Sequence, residues 1–98
     1  MKRAFSWLTP EEKLRRLSVS TARVYDAIKA NWPANPLKVA EFLNDEGNQK
    51  SLSAKYLYHF KKLKKAGLIM VKKIGNTYVA WPMEIEKLRL ANEMLKGL

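Results

Sequence analysis

Apolar residues return along most of this chain at intervals of three and four, the signature of amphipathic helices. Val24, Tyr25, Ile28 and Trp32 make the inward stripe of one helix, and Val39, Ala40, Phe42 and Leu43 that of the next. Tyr56, Phe60 and Leu63 share one face of a third. Ile85, Leu88, Ala91 and Leu95 form the stripe of a last helix, with Leu90, Met94 and Leu98 beside it. The period changes only at Leu68–Lys73 and Thr77–Trp81, two strand-like runs separated by Gly75-Asn76, a pair suited to a hairpin turn.

Capping residues sharpen these boundaries. Thr9-Pro10-Glu11-Glu12 is a capping box with proline at the first helical position, opening a short helix to about Leu17. Ser18 to Thr21 supply caps for the following helix, which must stop before Pro33. Asn35 precedes Pro36 at the start of the third. Asn44 to Gln49 is turn chemistry in which Gly47 can take a positive φ, and Ser51 or Ser53 can start the fourth helix, closed by Gly67. Pro82 opens the fifth. The chain is thus expected to be mainly α with a small β-hairpin, an α+β domain spanning residues 1–98.

Charge changes the picture from fold to partner. The chain carries 19 Lys+Arg against 9 Asp+Glu, a formal charge of +10. From Gly47 through Met83 there is no acid, whereas Lys50, Lys55, Lys61, Lys62, Lys64, Lys65, Lys72 and Lys73 all fall there. A helix apolar on one side and cationic on the other suits burial of one face against the protein while the other meets a polyanion, most simply nucleic acid. The longest apolar runs are four residues, so no membrane span is expected, and the basic N-terminus lacks the apolar segment of a signal peptide. Cysteine is absent, which excludes disulfides and thiolate metal sites and fits a cytoplasmic setting.

The order helix, helix, basic helix, hairpin, helix is that of a winged helix-turn-helix domain. Lys55-Tyr56-Leu57-Tyr58-His59-Phe60-Lys61-Lys62-Leu63-Lys64-Lys65-Ala66-Gly67-Leu68-Ile69 resembles, without a gap, the recognition helix of bacterial and archaeal transcriptional regulators of the ArsR and MarR kinds. Pro36–Leu43 is similar to the helix that precedes it in those proteins, and Lys72–Tyr78 to their wing; the resemblance covers roughly residues 20–82. Two departures stand out. The Asn44-to-Ser51 link is longer than usual, and the wing tip is Gly75-Asn76 where the family often carries arginine.

The resemblance implies double-stranded DNA binding by a small winged-helix regulator, with a recognition helix at about 53–66 in the major groove and a wing at about 68–81 on the flanking backbone. Ser53, Lys55, Tyr58, His59, Lys61, Lys62 and Lys65 would face DNA from the helix, and Lys72, Lys73 and Asn76 from the wing. His59 is open to either packing or phosphate contact, and Tyr58 to either a base contact or a protein partner. No arginine stands between Arg23 and Arg89. Lysine acts as a point charge on phosphate more than as a bidentate reader of guanine, so strong electrostatic affinity with moderate sequence discrimination is expected.

The last helix presents more apolar surface than a small wing domain needs, so Ile85, Leu88, Ala91 and Leu95 are expected to form a homodimer contact. The alternative is that this helix folds back on Phe5, Trp7, Leu8 and Leu14. Trp7, Trp32 and Trp81 are read as packing residues.

Other functions weigh less. A protein-interaction adaptor within a transcription or replication assembly is the alternative, as is a less selective DNA-coating protein. RNA binding is disfavoured because a helix does not fit the narrow major groove of A-form RNA. One histidine, no cysteine, no phosphate-binding glycine loop and no close carboxylate pair in an apolar setting argue against an enzyme, and no cofactor or metal is expected. The expected location is the cytoplasm, in association with the nucleoid.

Overall fold

The computed structural model describes residues 8–97. The chain is mainly helical, with one two-stranded antiparallel hairpin. Helix α1 spans Pro10–Arg15, α2 Val19–Asn31, α3 Pro36–Phe42 and α4 Gln49–Lys65; β1 (Ile69–Ile74) and β2 (Thr77–Pro82) follow, and α5 runs over Met83–Lys96.

Each boundary has a local cause. The Thr9–Glu12 capping box is formed. Helix α1 ends at Arg15, short of Leu17, because Ser18 is extended and caps α2 through the Thr21 amide. Helix α4 starts earlier than Ser51 or Ser53: the Asn48 side chain accepts from the amides of Lys50 and Ser51, so its first turn begins at Gln49. The link between α3 and α4 is correspondingly shorter than the sequence suggested.

Two helices end in the same way. After α4, the Leu68 amide donates to the Leu63 carbonyl (3.0 Å) and the Gly67 amide to Lys64 (2.9 Å), with Gly67 at φ 79°. After α3, Asp45 donates to Ala40 (2.9 Å) and Asn44 to Glu41 (3.1 Å), with Asn44 at φ 58°. Both are Schellman caps, the second using asparagine in the left-handed role. The first turns the chain into β1; the second aims Asp45 at α4.

The hairpin is in register from Ile69↔Pro82 to Ile74↔Thr77, turning at Gly75 (φ 61°) and Asn76. Positive φ at the first turn residue alone is the II′ pattern, whose twist matches paired strands. Ala34 and Ala80 add a single antiparallel bridge, exchanging hydrogen bonds of 3.0 and 2.8 Å. Their small side chains are wholly buried, which lets the loop before α3 lie directly against β2.

The core gathers Val24, Ile28, Val39, Phe60, Leu63 and Ile69, so α2, α3, α4 and β1 meet at one centre. Two expected core residues are not in it. Phe42 is 50% exposed, because the inner stripe of α3 is Pro36, Val39, Ala40 and Leu43 and Phe42 rotates off it. Trp32 is 45% exposed, because the chain has already left the helix and is extended there. It borders a shallow apolar depression with Pro33, Trp81, Ile85 and Arg89.

Among the described residues, helix α5 is anchored only at its base. The Glu86 carboxylate accepts from the Trp81 indole (3.0 Å) and is gripped by Arg89 (2.7 Å), which also reaches Glu93 (3.0 Å). Arg89 and then Trp81 hold the Glu86 pKa below the usual carboxylate value. From Lys87 through Gly97 every residue of this helix is exposed. Phe5, Trp7 and Leu98, named in the alternative packing or the stripe, lie outside the described residues.

Candidate nucleic-acid interface

Burial of Tyr56, Phe60 and Leu63 fixes how α4 is rotated. Opposite them, Ala54, Tyr58, Lys61 and Lys65 line up at spacings of four, three and four, forming an outward row along the helix. All four are exposed, Tyr58 at 59%. Lys61 and Lys65 have no ion-pair partner among the described residues. The row combines cations with an exposed aromatic side chain.

Tyr58 is held by its neighbours. The Lys62 ammonium lies 5.3 Å from its ring centre and the His59 ring meets it edge-on at 5.5 Å. A cation over the ring face is favourable at this range and steers Lys62 beside the outward row.

His59 takes a different place from the row. Its ring is half-buried, with Nδ1 3.0 Å from the Thr21 hydroxyl of α2, and Thr21 in turn lies 2.9 Å from Ser18. Burial first, then the charges of Lys62 and Lys55, push the His59 pKa below its ordinary value. At neutral pH it is therefore an uncharged brace between two helices.

Lys55 is not free. Its ammonium donates to Asp45 Oδ2 at 2.7 Å, and the Tyr56 hydroxyl donates to the same oxygen at 2.6 Å. These bonds, Lys55 first, lower the Asp45 pKa, while burial and the Asp45 bond push Tyr56 up to about 12. The lysines of this helix were expected to stand without a balancing carboxylate; the α3 cap supplies one to Lys55. Ser53 is half-buried on the row of Phe60, seven residues before it, and not on the outward row.

On the hairpin, Lys72, Lys73 and Asn76 are exposed near the turn. Lys73 faces Tyr78 across the strands, its ammonium 5.9 Å from the ring centre. The structure thus brings Tyr58, Lys61, Lys62 and Lys65 together on one face, with Lys72, Lys73 and Asn76 on the following hairpin. It sets Ser53, Lys55 and His59 apart from that row.

Compared with protein-family models, curated proteins and solved structures, the chain matches none of them. The site rests on its own geometry.

Three features escaped the sequence. Asp45 reads as an ordinary turn acid, and only the asparagine cap at Asn44 turns it toward Lys55. Thr21 reads as a helix cap, yet it also braces His59. Arg23, far from the lysine cluster in sequence, lies beside α4 in a cleft shared with Ser20, Asn44, Asp45, Lys55, Tyr56 and His59. The spacing of Ser20 and Arg23, three apart on α2, could have placed them on one flank, though not against which partner. Among the described residues, no group of three or more histidine, aspartate or glutamate side chains could hold a metal ion, and no helix is long and apolar enough to cross a membrane.

Proposed function

We propose that the protein binds double-stranded DNA as a winged helix-turn-helix domain, with α4 lying in the major groove and the β1–β2 hairpin as a wing on the flanking backbone. The outward row of α4 carries this reading: Tyr58, Lys61 and Lys65 in line, Lys62 beside them, and no acid on that face. A rigid helix fastened to the core by Tyr56, Phe60 and Leu63 has the shape a major groove accepts. The hairpin adds Lys72 and Lys73 close by in sequence, where a second set of phosphates would run.

Lysine predominates on this surface, so affinity comes chiefly from phosphate neutralisation and counterion release, and discrimination between sequences is moderate. Tyr58 is the side chain best placed on this row to reach a base edge. Regulation by occupancy of a DNA site follows naturally from a domain of this kind, in the cytoplasm and on the nucleoid.

We further propose that α5 joins two copies. Leu88 and Leu95 are each 67% exposed, Leu90 and Met94 stand open beside them, and Ile85 continues the stripe toward the body. Acids and bases balance on this helix (Glu84, Glu86 and Glu93 with Lys87, Arg89 and Lys96), so two strongly cationic chains can meet there with least repulsion. The same exposed stripe is the observation that favours the second reading, an adaptor docking on another protein.

The test is fluorescence anisotropy with a labelled random duplex, comparing the native chain with Lys61→Glu/Lys62→Glu. Loss of duplex binding on charge reversal supports the DNA reading. A native chain that ignores duplex at low salt moves the adaptor reading to first place.

A further inference from the structure

The cleft between the first turns of α2, the α3–α4 link and α4 has a volume of about 250 Å³ and is lined by Ser20, Arg23, Leu43, Asn44, Asp45, Lys55, Tyr56 and His59. Small-molecule pockets run to roughly 300–1,000 Å³, so this one suits a single chemical group better than a whole ligand. Two cations border it. Lys55 is already engaged with Asp45. Arg23 is exposed and has no ion-pair partner among the described residues. The Ser20 hydroxyl stands one helical turn before it, on the same flank.

We propose that this cleft seats one phosphate group of a nucleic-acid backbone, bound by Arg23 and Ser20 from α2 and by Lys55 from α4. The proposal rests on the DNA-binding reading and extends it to residues outside the recognition helix and wing. An arginine fork matches two phosphate oxygens, a geometry that lysine does not offer. Arg23 is therefore the strongest anchor near α4, and it fixes the register of the helix on the duplex without reading a base.

Asp45 acts here as a resident anion. It holds Lys55 while the cleft is empty, and its own negative charge opposes an arriving phosphate. When the phosphate enters, the Lys55 ammonium exchanges one oxygen acceptor for another. Tyr56 keeps its bond to Asp45, so the α3–α4 link stays in place. Asp45 thereby moderates affinity, and removing its charge should strengthen binding without loosening the fold.

Two variants, one at the exposed Arg23 and one at the half-buried Asp45, bracket the site. Arg23→Gln removes a side chain with no internal ion pair, and Asp45→Asn keeps an oxygen to accept from Tyr56. On a duplex, R23Q should weaken binding by about five- to tenfold and make the salt slope shallower by about one. D45N should tighten binding by about two- to threefold and steepen the slope, since Lys55 is released to contact phosphate. Charge-matched controls are R16Q on the α1–α2 link and D26N on the outer side of α2; neither should move the slope.

The same proteins are then titrated with inorganic phosphate while amide shifts of Ser20, Arg23, Asp45, Lys55 and His59 are followed by NMR. Native shifts at these amides that vanish in R23Q support the seat. Phosphate binding there with no duplex binding would leave the oxyanion seat standing, assign it to a free phosphate and overturn its nucleic-acid assignment. Duplex binding in which R23Q and D45N behave like R16Q and D26N would overturn the seat and leave the recognition helix intact. Silence of the cleft toward both probes would overturn the proposal outright.

Discussion

His59 Nδ1 lies 3.0 Å from the Thr21 hydroxyl, and this contact joins the half-buried side of α4 to the first turn of α2. The ring is sheltered, and Lys62 and Lys55 repel a proton from it, so its pKa falls below the ordinary 6.5. The unfolded chain therefore binds the proton first. The contribution is intact above pH 6.5 and is lost as pH falls through that value toward the folded-state pKa. A thermal melt series from neutral pH to about pH 5 should show Tm declining in the native protein. In His59→Gln the decline over that window should disappear; an equal decline would assign it to another group.

Phe60 and Phe42 are a contrasting pair. Phe60 is wholly buried at the meeting of the helices, whereas Phe42 is half open. Truncating Phe60 to alanine should cost about 3–5 kcal/mol by urea denaturation, from lost burial and the cavity left behind. Phe42→Ala should cost less than about 1.5 kcal/mol, since much of its surface meets water already. Comparable losses would place Phe42 in the core after all.

The base of α5 depends on Glu86. Its lowered pKa means its contribution is present above the ordinary carboxylate value of 4.5 and fades as pH falls through the folded-state pKa. Glu86→Gln leaves an oxygen for the Trp81 indole but removes the charge that grips Arg89. Amide hydrogen exchange over residues 83–90 should quicken in this variant while exchange in α4 stays unchanged. Unchanged protection of α5 would show that other contacts hold it.

Self-association through α5 is directly measurable. Sedimentation equilibrium at micromolar concentration should give twice the 11.3 kDa chain mass, and Leu88→Lys with Leu95→Lys should return it to one chain. If α4 binds duplex as proposed, duplex affinity should fall with loss of the second copy, because two linked binding sites hold more tightly than one. A single-chain mass for the native protein would remove the dimer.

The helical stripes, the caps and the hairpin were legible because each depends on residues close together in sequence. Thr9, Ser18, Asn35, Gly67 and Gly75 act on their immediate neighbours, and the pattern of Tyr56, Phe60 and Leu63 alone fixes which lysines of α4 point outward. The boundaries differ where a cap acts earlier than expected: Ser18 caps α2 and α1 ends before Leu17, and Asn48 opens α4 before Ser51. What periodicity does not carry is the lateral placement of polar groups between elements. Asp45 reaches Lys55 through the left-handed turn at Asn44, and Arg23 reaches the α4 flank only once α2 and α4 pack. The Ala34–Ala80 bridge is similarly silent, since alanine signals neither strand nor loop. Trp81 read as packing, and its indole donates to a carboxylate that lies on the next element.

The outward row of α4 is proposed to hold DNA phosphates. The decisive measurement is the salt dependence of duplex affinity by fluorescence anisotropy, for the native chain and for Lys61→Gln/Lys65→Gln. If Lys61, Lys62, Lys65, Lys72 and Lys73 neutralise phosphates, log K against log salt should fall with a slope of roughly −4 to −5, and the double variant should be shallower by about two. Absence of binding at low salt, or a slope unchanged by losing both lysines, would contradict the account.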